Sequence, residues 1–249
     1  MSSNPSDSLD LLAFGAHPDD VELSCGGLIA LSTTRGHRVC IVDLTRGERA
    51  TNGTVGERMA EAQAAAQVLG ADRETLDLPD GGLDPQSESQ LGAVVAVLRR
   101  LTPRLVLAPW REARHPDHAA ASALIERACF LAGLRRFRPD LGLPKRPDRL
   151  IFYPERIEAK PSFVVDTSAV QVQKAAALAC HASQFGGTQP TLLTQPLGLA
   201  AFEVRDRYWG ATIGTTHGEP YVLPATLPIA DPIAHFQAHP QAPVLWPTP

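Results

Sequence analysis

The feature that most constrains this chain is its alternation of short apolar runs with longer helix-forming runs. Strand-like runs stand at residues 9–14, 37–44, 74–78 and 104–108. Helix-like runs stand between and after them, at 21–34, 57–69, 90–101 and 119–131, with Gly36, Gly70 and Gly133 as stops. Consecutive strands separated by a helix cannot pair as hairpins, so they read as a parallel sheet with right-handed crossovers. The expected fold class is α/β, a Rossmann-like three-layer sandwich with a mostly parallel central sheet. Further strands are expected at 150–153 and 163–165, and helices at 170–185 and 197–208. Residues 1–249 read as a single domain with a flexible N-terminus at 1–8. The Pro-rich stretch 223–249 reads as an extended or weakly ordered extension.

The chain has 249 residues, 44% hydrophobic and 20% charged, enough apolar content for a substantial core. A net charge of −4 gives no electrostatic reason to expect nucleic acid or an anionic membrane as partner. No apolar run is long enough to span a bilayer. The polar N-terminus lacks the apolar stretch of a secretory signal. Cys25, Cys40, Cys129 and Cys180 are scattered, which reads as four free thiols in a reducing cytoplasm.

Two strand ends carry unusual chemistry. The first strand runs into His17-Pro-Asp-Asp20, and the fourth leads into His115-Pro-Asp-His118. In an open parallel sheet, ligands bind outside the carboxyl ends of the strands. Both turns therefore open on one edge and can share a site. A catalytic zinc takes three nitrogen or oxygen ligands and keeps one position open. His17, Asp20 and His118 supply such a set, with Asp19 left over to work on the attacking water. One His-Pro-Asp turn alone is most simply a surface turn, but two at strand ends are poorly explained by solvation. His37, His181, His217, His235 and His239 read as structural. Cys180 and His181 do not read as a nucleophile pair, since helical neighbours point about 100° apart.

The segments Ala16–Glu22 (AHPDDVE), Thr45–Glu48 (TRGE) and His115–His118 (HPDH) resemble the LmbE-like, or PIG-L, zinc-dependent N-acetylglucosamine deacetylases. The resemblance runs from about residue 9 to about residue 221. Asn52-Gly-Thr54 with Arg58, Leu78-Pro-Asp80, His181–Phe185, Arg205–Gly210 and Gly218–Tyr221 look like the branch that deacetylates N-acetylglucosaminyl-malate in bacillithiol biosynthesis. By resemblance, His17, Asp20 and His118 hold one zinc per subunit, with ferrous iron as the alternative metal. Asp19 is the general base that later returns the proton to the leaving amine. His115 stands protonated near the amide oxygen, and Asp117 holds it and favours its charged form. Arg58 is expected to grip the malate carboxylates as a bidentate fork. Its plain alternative is a solvated helix residue paired with Glu57 or Glu61. Asn52, Arg111 and Arg205 are further substrate-binding candidates.

Relatives place a tyrosine near the metal. This chain has only Tyr153, Tyr208 and Tyr221. The family also implies a small amino-sugar substrate and a homo-oligomer, often a hexamer, and the scattered cysteines imply a cytoplasmic location. Rival readings are a deacetylase of chitooligosaccharides, an antibiotic precursor or a thiol conjugate, and a metal-binding scaffold without turnover. A non-catalytic nucleotide-binding module is disfavoured, because the first turn lacks G-x-G-x-x-G.

Overall fold

The structure, a computed structural model, describes residues 8–155, 157, 159–186, 189, 191 and 194–239. Its first half alternates as expected: β1 Leu11–Gly15, α1 Asp20–Thr34, β2 Val39–Thr45, α2 Val55–Leu69, β3 Asp72–Leu78, α3 Glu88–Leu101, β4 Leu105–Pro109, α4 Pro116–Ala132 and β5 Arg149–Tyr153. These five strands form one parallel sheet in the order β3-β2-β1-β4-β5. The second half adds β6 Phe163–Asp166, α5 Gln171–Ala179, α6 Ala182–Phe185, α7 Pro196–Thr212, β7 Gly218–Tyr221 and α8 Pro232–Ala238. β6 and β7 pair antiparallel, and a bridge between Phe152 and Val222 ties this small sheet to β5.

Successive strand residues point to opposite faces, and both faces are apolar. Leu12, Phe14, Val42 and Val106 pack with Leu91 and Leu98 of α3 and Leu124 and Ile125 of α4. Leu11, Ala13, Ile41 and Leu107 pack with Val21 and Ile29 of α1, Leu69 of α2 and Ala177 of α5. Strands buried on both faces explain the continuous apolar runs. β1 and β4 are neighbours at the point where the strand order reverses, so their carboxyl ends flank the crevice that a doubly wound sheet leaves open.

Several boundaries differ from expectation for local reasons. α2 begins at Val55, because Thr54 and Glu57 form a reciprocal capping box. α4 begins at Pro116, with His115 as its N-cap, so Asp117 and His118 are helical. The helix expected at 170–185 breaks at Cys180 and His181. His181 is buried there, its Nε2 3.4 Å from Glu22 Oε1. β7 is hidden in the sequence by Gly218 and Pro220, poor strand formers. The tail is not simply extended: Pro232–Ala238 is helical, with Asp231 accepting from the amides of Ile233 and Ala234. Residues 1–7 and 240–249 lie outside the described residues, as does part of the loop expected at 188–196. All four cysteines are free. No described helix is long and apolar enough to cross a membrane.

α1 is two helices joined across a kink at Cys25 (φ −140°, ψ 18°). Such a break orphans carbonyls on one side and amides on the other. Arg205 Nη2 lies 3.1 Å from both Leu23 O and Ser24 O. On the other side the amides of Gly27 and Leu28 each donate to the Glu219 carboxylate at 2.7 Å. A Cβ at Gly27 would come within 2.7 Å of Thr167 and 2.8 Å of Glu219, so this close approach needs glycine. Lys174 Nζ closes the network on Asp206 (2.6 Å) and Glu219 (2.7 Å), and Tyr221 donates to Glu219 at 2.8 Å. Glu219, Lys174, Arg205 and Asp206 are all buried. Removing one partner of such a network strands the opposite charge. Glu219→Ala should destabilise the fold by about 3–5 kcal/mol, read as a lowered urea midpoint; an unmoved midpoint would contradict this role.

Candidate active site

The two His-Pro-Asp turns converge. His17 follows β1, Asp20 opens α1 and His118 lies in the first turn of α4. His17 Nδ1 lies 3.3 Å from His118 Nε2 and 3.6 Å from Asp20 Oδ2, and His118 Nε2 lies 3.2 Å from Asp20 Oδ2. Ligand atoms about 2.0–2.1 Å from a tetrahedral zinc sit about 3.3–3.4 Å from one another. The triangle therefore has the dimensions of one face of such a site, and two imidazoles with one carboxylate are the right donors. His115 also brings a ring nitrogen within 4.8 Å of nitrogens of His17 and His118.

Each histidine of the triangle turns its second nitrogen to a carboxylate. His17 Nε2 lies 3.1 Å from Asp80 Oδ1 and 3.4 Å from Asp117 Oδ2, and His118 Nδ1 contacts Glu155. This is the arrangement that fixes tautomer and ring orientation in metal-ligating histidines. Sequence reasoning passes over Asp80 and Glu155 as functional residues. Asp80 has a signal in the Leu78-Pro-Asp80 segment that shares in the resemblance, two residues beyond β3, whereas Glu155 has position alone, two residues beyond β5.

The charge balance agrees with a cation at the triangle. Burial opposes a charged His17, yet its bonds to Asp117, Asp20 and Asp80 outweigh that and push its pKa up to about 12. Burial likewise opposes charge on His118, and Asp20 and Glu155 overcome it to about 10. Asp80, hydrogen-bonded to His17, is held down at about 2. Acids crowded around two imidazoles demand positive charge, which a divalent metal supplies without protons.

Asp19 stands beside the triangle and lines the same cavity. Its backbone has φ 117°, a value non-glycine residues rarely adopt. Arg58 holds this turn: Nη2 donates to Pro18 O at 2.8 Å and to Asp19 Oδ2 at 3.3 Å, and Nη1 donates to Gly47 O at 2.8 Å. A Cβ at Gly47 would fall 1.7 Å from Arg58 Nη1, which explains the glycine of the TRGE segment. Thr45 of the same segment ties β2 to Ala16 O through both its amide and its hydroxyl. Burial raises the Asp19 pKa above the carboxylate range, with Arg58 pulling it down and Asp20 pushing it up. A raised carboxylate suits a base that must also return its proton.

Other expected roles change. The Asp117 carboxylate does not hold His115; it accepts from Gly81 N at 2.7 Å and faces His17. The Asp117 amide instead donates to His115 Nδ1 at 3.2 Å, leaving Nε2 to carry the ring proton. Burial and the neighbouring His118 and His17 lower the His115 pKa against the opposing pull of Asp20 and Asp117, so its surroundings do not favour a standing imidazolium. Arg58 is committed to Asp19 and two carbonyls, so its fork is not open to a malate. Asn52 bonds Gln189 through both ends of its amide, at 2.8 and 3.3 Å, and ties a cavity wall together. Arg205 spends its donors on Asp206, Pro154 O and the α1 break. Arg111 turns to Glu126 and the Phe152 ring, outside the cavity lining. Tyr153 and Tyr221 are core residues, while Tyr208 lines the cavity.

The PIG-L family profile, described as GlcNAc-PI de-N-acetylase, matches residues 12–129. The diacetylchitobiose deacetylase of Thermococcus kodakarensis is 35% identical over 190 residues, 70% of this chain and 70% of that protein. The 4-oxalmesaconate hydratase of Pseudomonas putida is 30% identical over 189 residues, 70% of this chain and 73% of that protein. A conserved protein from Thermus thermophilus has a crystal structure with TM-score 0.81 and 42% identity, covering 89% of this chain and 98% of that one. On the profile match, these identities and this coverage, the chain belongs to the PIG-L family.

Proposed function

We propose that this protein is a zinc-dependent deacetylase that hydrolyses the N-acetyl group of an N-acetylglucosamine conjugate, releasing acetate and a free amine. One observation carries the reading: a triangle of metal-ligand dimensions with a second acid, Asp19, held beside it by Arg58. Bound by His17, Asp20 and His118, zinc would polarise the amide carbonyl and lower the pKa of water toward about 7.

The chain's own groups do the rest. Asp19 accepts the proton of the attacking water and delivers it to the departing amine nitrogen. Arg58 keeps that carboxylate in place and limits how far burial raises its pKa. His115 donates from Nε2 to the oxyanion of the tetrahedral intermediate, where a fixed donor is worth more than in water. Asp80, Asp117 and Glu155 orient the two histidines. The malate conjugate loses its motive with Arg58 occupied, so the reading stops at an N-acetylglucosamine conjugate.

Acetate release from N-acetylglucosamine, diacetylchitobiose and N-acetylglucosaminyl-malate is the direct test. At least one should yield stoichiometric acetate and amine; equal efficiency across the three would remove any malate preference. A protein that instead added water to a carbon–carbon double bond, as the name of the hydratase relative describes, would release no acetate. Asp19→Asn should lower kcat by about 10²- to 10⁴-fold with zinc still bound; near-normal turnover would remove it as base. Asp80→Asn should weaken zinc affinity by about 10- to 100-fold in a competitive chelator titration, and unchanged affinity would deny it the orienting role.

A further inference from the structure

α7 buries charge and exposes apolar side chains. Its buried positions include Gly198, Arg205, Asp206 and Gly210. Its apolar stripe, Leu197, Ala201, Val204 and Tyr208, repeats at helical spacing and faces outward. Leu197 is 75% exposed, Val204 62% and Tyr208 41%. A buried ion pair on one side and an uncovered apolar stripe on the other is a costly arrangement for a helix that only fills space.

This stripe lines the catalytic cavity. One cavity of about 940 Å³ is lined both by His17, Asp19, Asp20, His115 and His118 and by Leu197, Ala201, Val204 and Tyr208 of α7. Ile157, half exposed, extends the apolar wall. Pockets for whole drug-sized ligands span about 300–1,000 Å³, so one pyranose at the triangle leaves much of the volume open. Arg58 and Arg205 are committed inside the protein and Arg111 points elsewhere. Among the other lining cations, Arg49 bonds Asp80 through its backbone amide, and Arg114 directly precedes His115 in the chain.

Resting on the deacetylase reading, we infer that the α7 wall is an aglycone subsite, and that the substrate is an N-acetylglucosaminide whose aglycone carries an extended apolar group, an alkyl chain or an aryl ring. The sugar sits with its acetamide at the triangle, and the apolar group lies along Leu197, Val204 and Tyr208. Burial of its methylenes against this wall supplies binding that a free sugar lacks.

The test compares acetate release from the methyl, phenyl and hexyl glycosides of N-acetylglucosamine. kcat/KM should rise at least about tenfold from methyl to hexyl. Val204→Asn should cut the hexyl-to-methyl ratio by at least about threefold; a ratio within one sample is insensitive to partial misfolding. A flat series, or a ratio untouched by Val204→Asn, overturns the inference while leaving the deacetylase reading intact. No acetate from any of the three overturns both. Sedimentation of both proteins supplies the last arm: if Val204→Asn dissociates a wild-type assembly, a second copy covers the stripe and the subsite is refuted.

Discussion

Everything in this protein depends on the electrostatic demand at one point. Asp20, Asp80, Asp117 and Glu155 converge on two imidazoles in a largely dehydrated crevice. Left to themselves the carboxylates would repel, and the imidazoles would resist charging. Together they make a pocket whose energy falls when positive charge enters it. The parallel sheet makes the convergence possible, because the strand order reverses between β1 and β4 and the turns beyond those strands share an opening.

Such a site has to be held open against its own tendency to collapse, and the holding is done by buried charge. Beneath α1, Arg73 makes a two-pronged pair with Asp43 at 2.7 and 2.8 Å and also reaches Glu22, two residues beyond Asp20. On the far side, Arg205 and Glu219 terminate the two halves of the broken helix. Arg58 does the same for the turn that carries Asp19. Two of these arginines, Arg58 and Arg205, which resemble ligand-binding residues in sequence, thus serve backbone and acids inside the fold. Buried pairs of this kind are poor sources of net stability but punish any alternative arrangement that leaves one partner alone. Here the arrangement they enforce is the direction of the residues at the start of α1.

What can be read from the sequence follows from this division. The alternating runs, the parallel sheet and the two turns are local signals: β-branched or apolar strands, glycine stops, and polar residues where a strand ends. His17, Asp20 and His118 are legible because each sits at such an end. Partners contributed by distant segments carry no local mark. Glu155 looks like an ordinary loop acid until β5 is placed in the sheet, and the Leu78-Pro-Asp80 segment does not by itself name His17 as the partner of Asp80. The break in α1 leaves a trace in Gly26 and Gly27, but nothing names Glu219 as the group that comes within reach. The interruption at Cys180 and His181 has no glycine or proline to announce it, and what stands there is a buried imidazole facing Glu22. Arg58 and Arg205 mislead for one reason: an arginine near a site pattern is equally suited to an external carboxylate or to an internal one.

The central claim is that His17, Asp20 and His118 grip one metal ion. X-ray absorption on the zinc-loaded protein tests it most directly. The account predicts one zinc per chain with only nitrogen and oxygen neighbours, two of them imidazoles, at about 2.0–2.1 Å, and loss of that signature in His118→Ala. A sulfur neighbour near about 2.3 Å, or an unchanged zinc environment in His118→Ala, would contradict it.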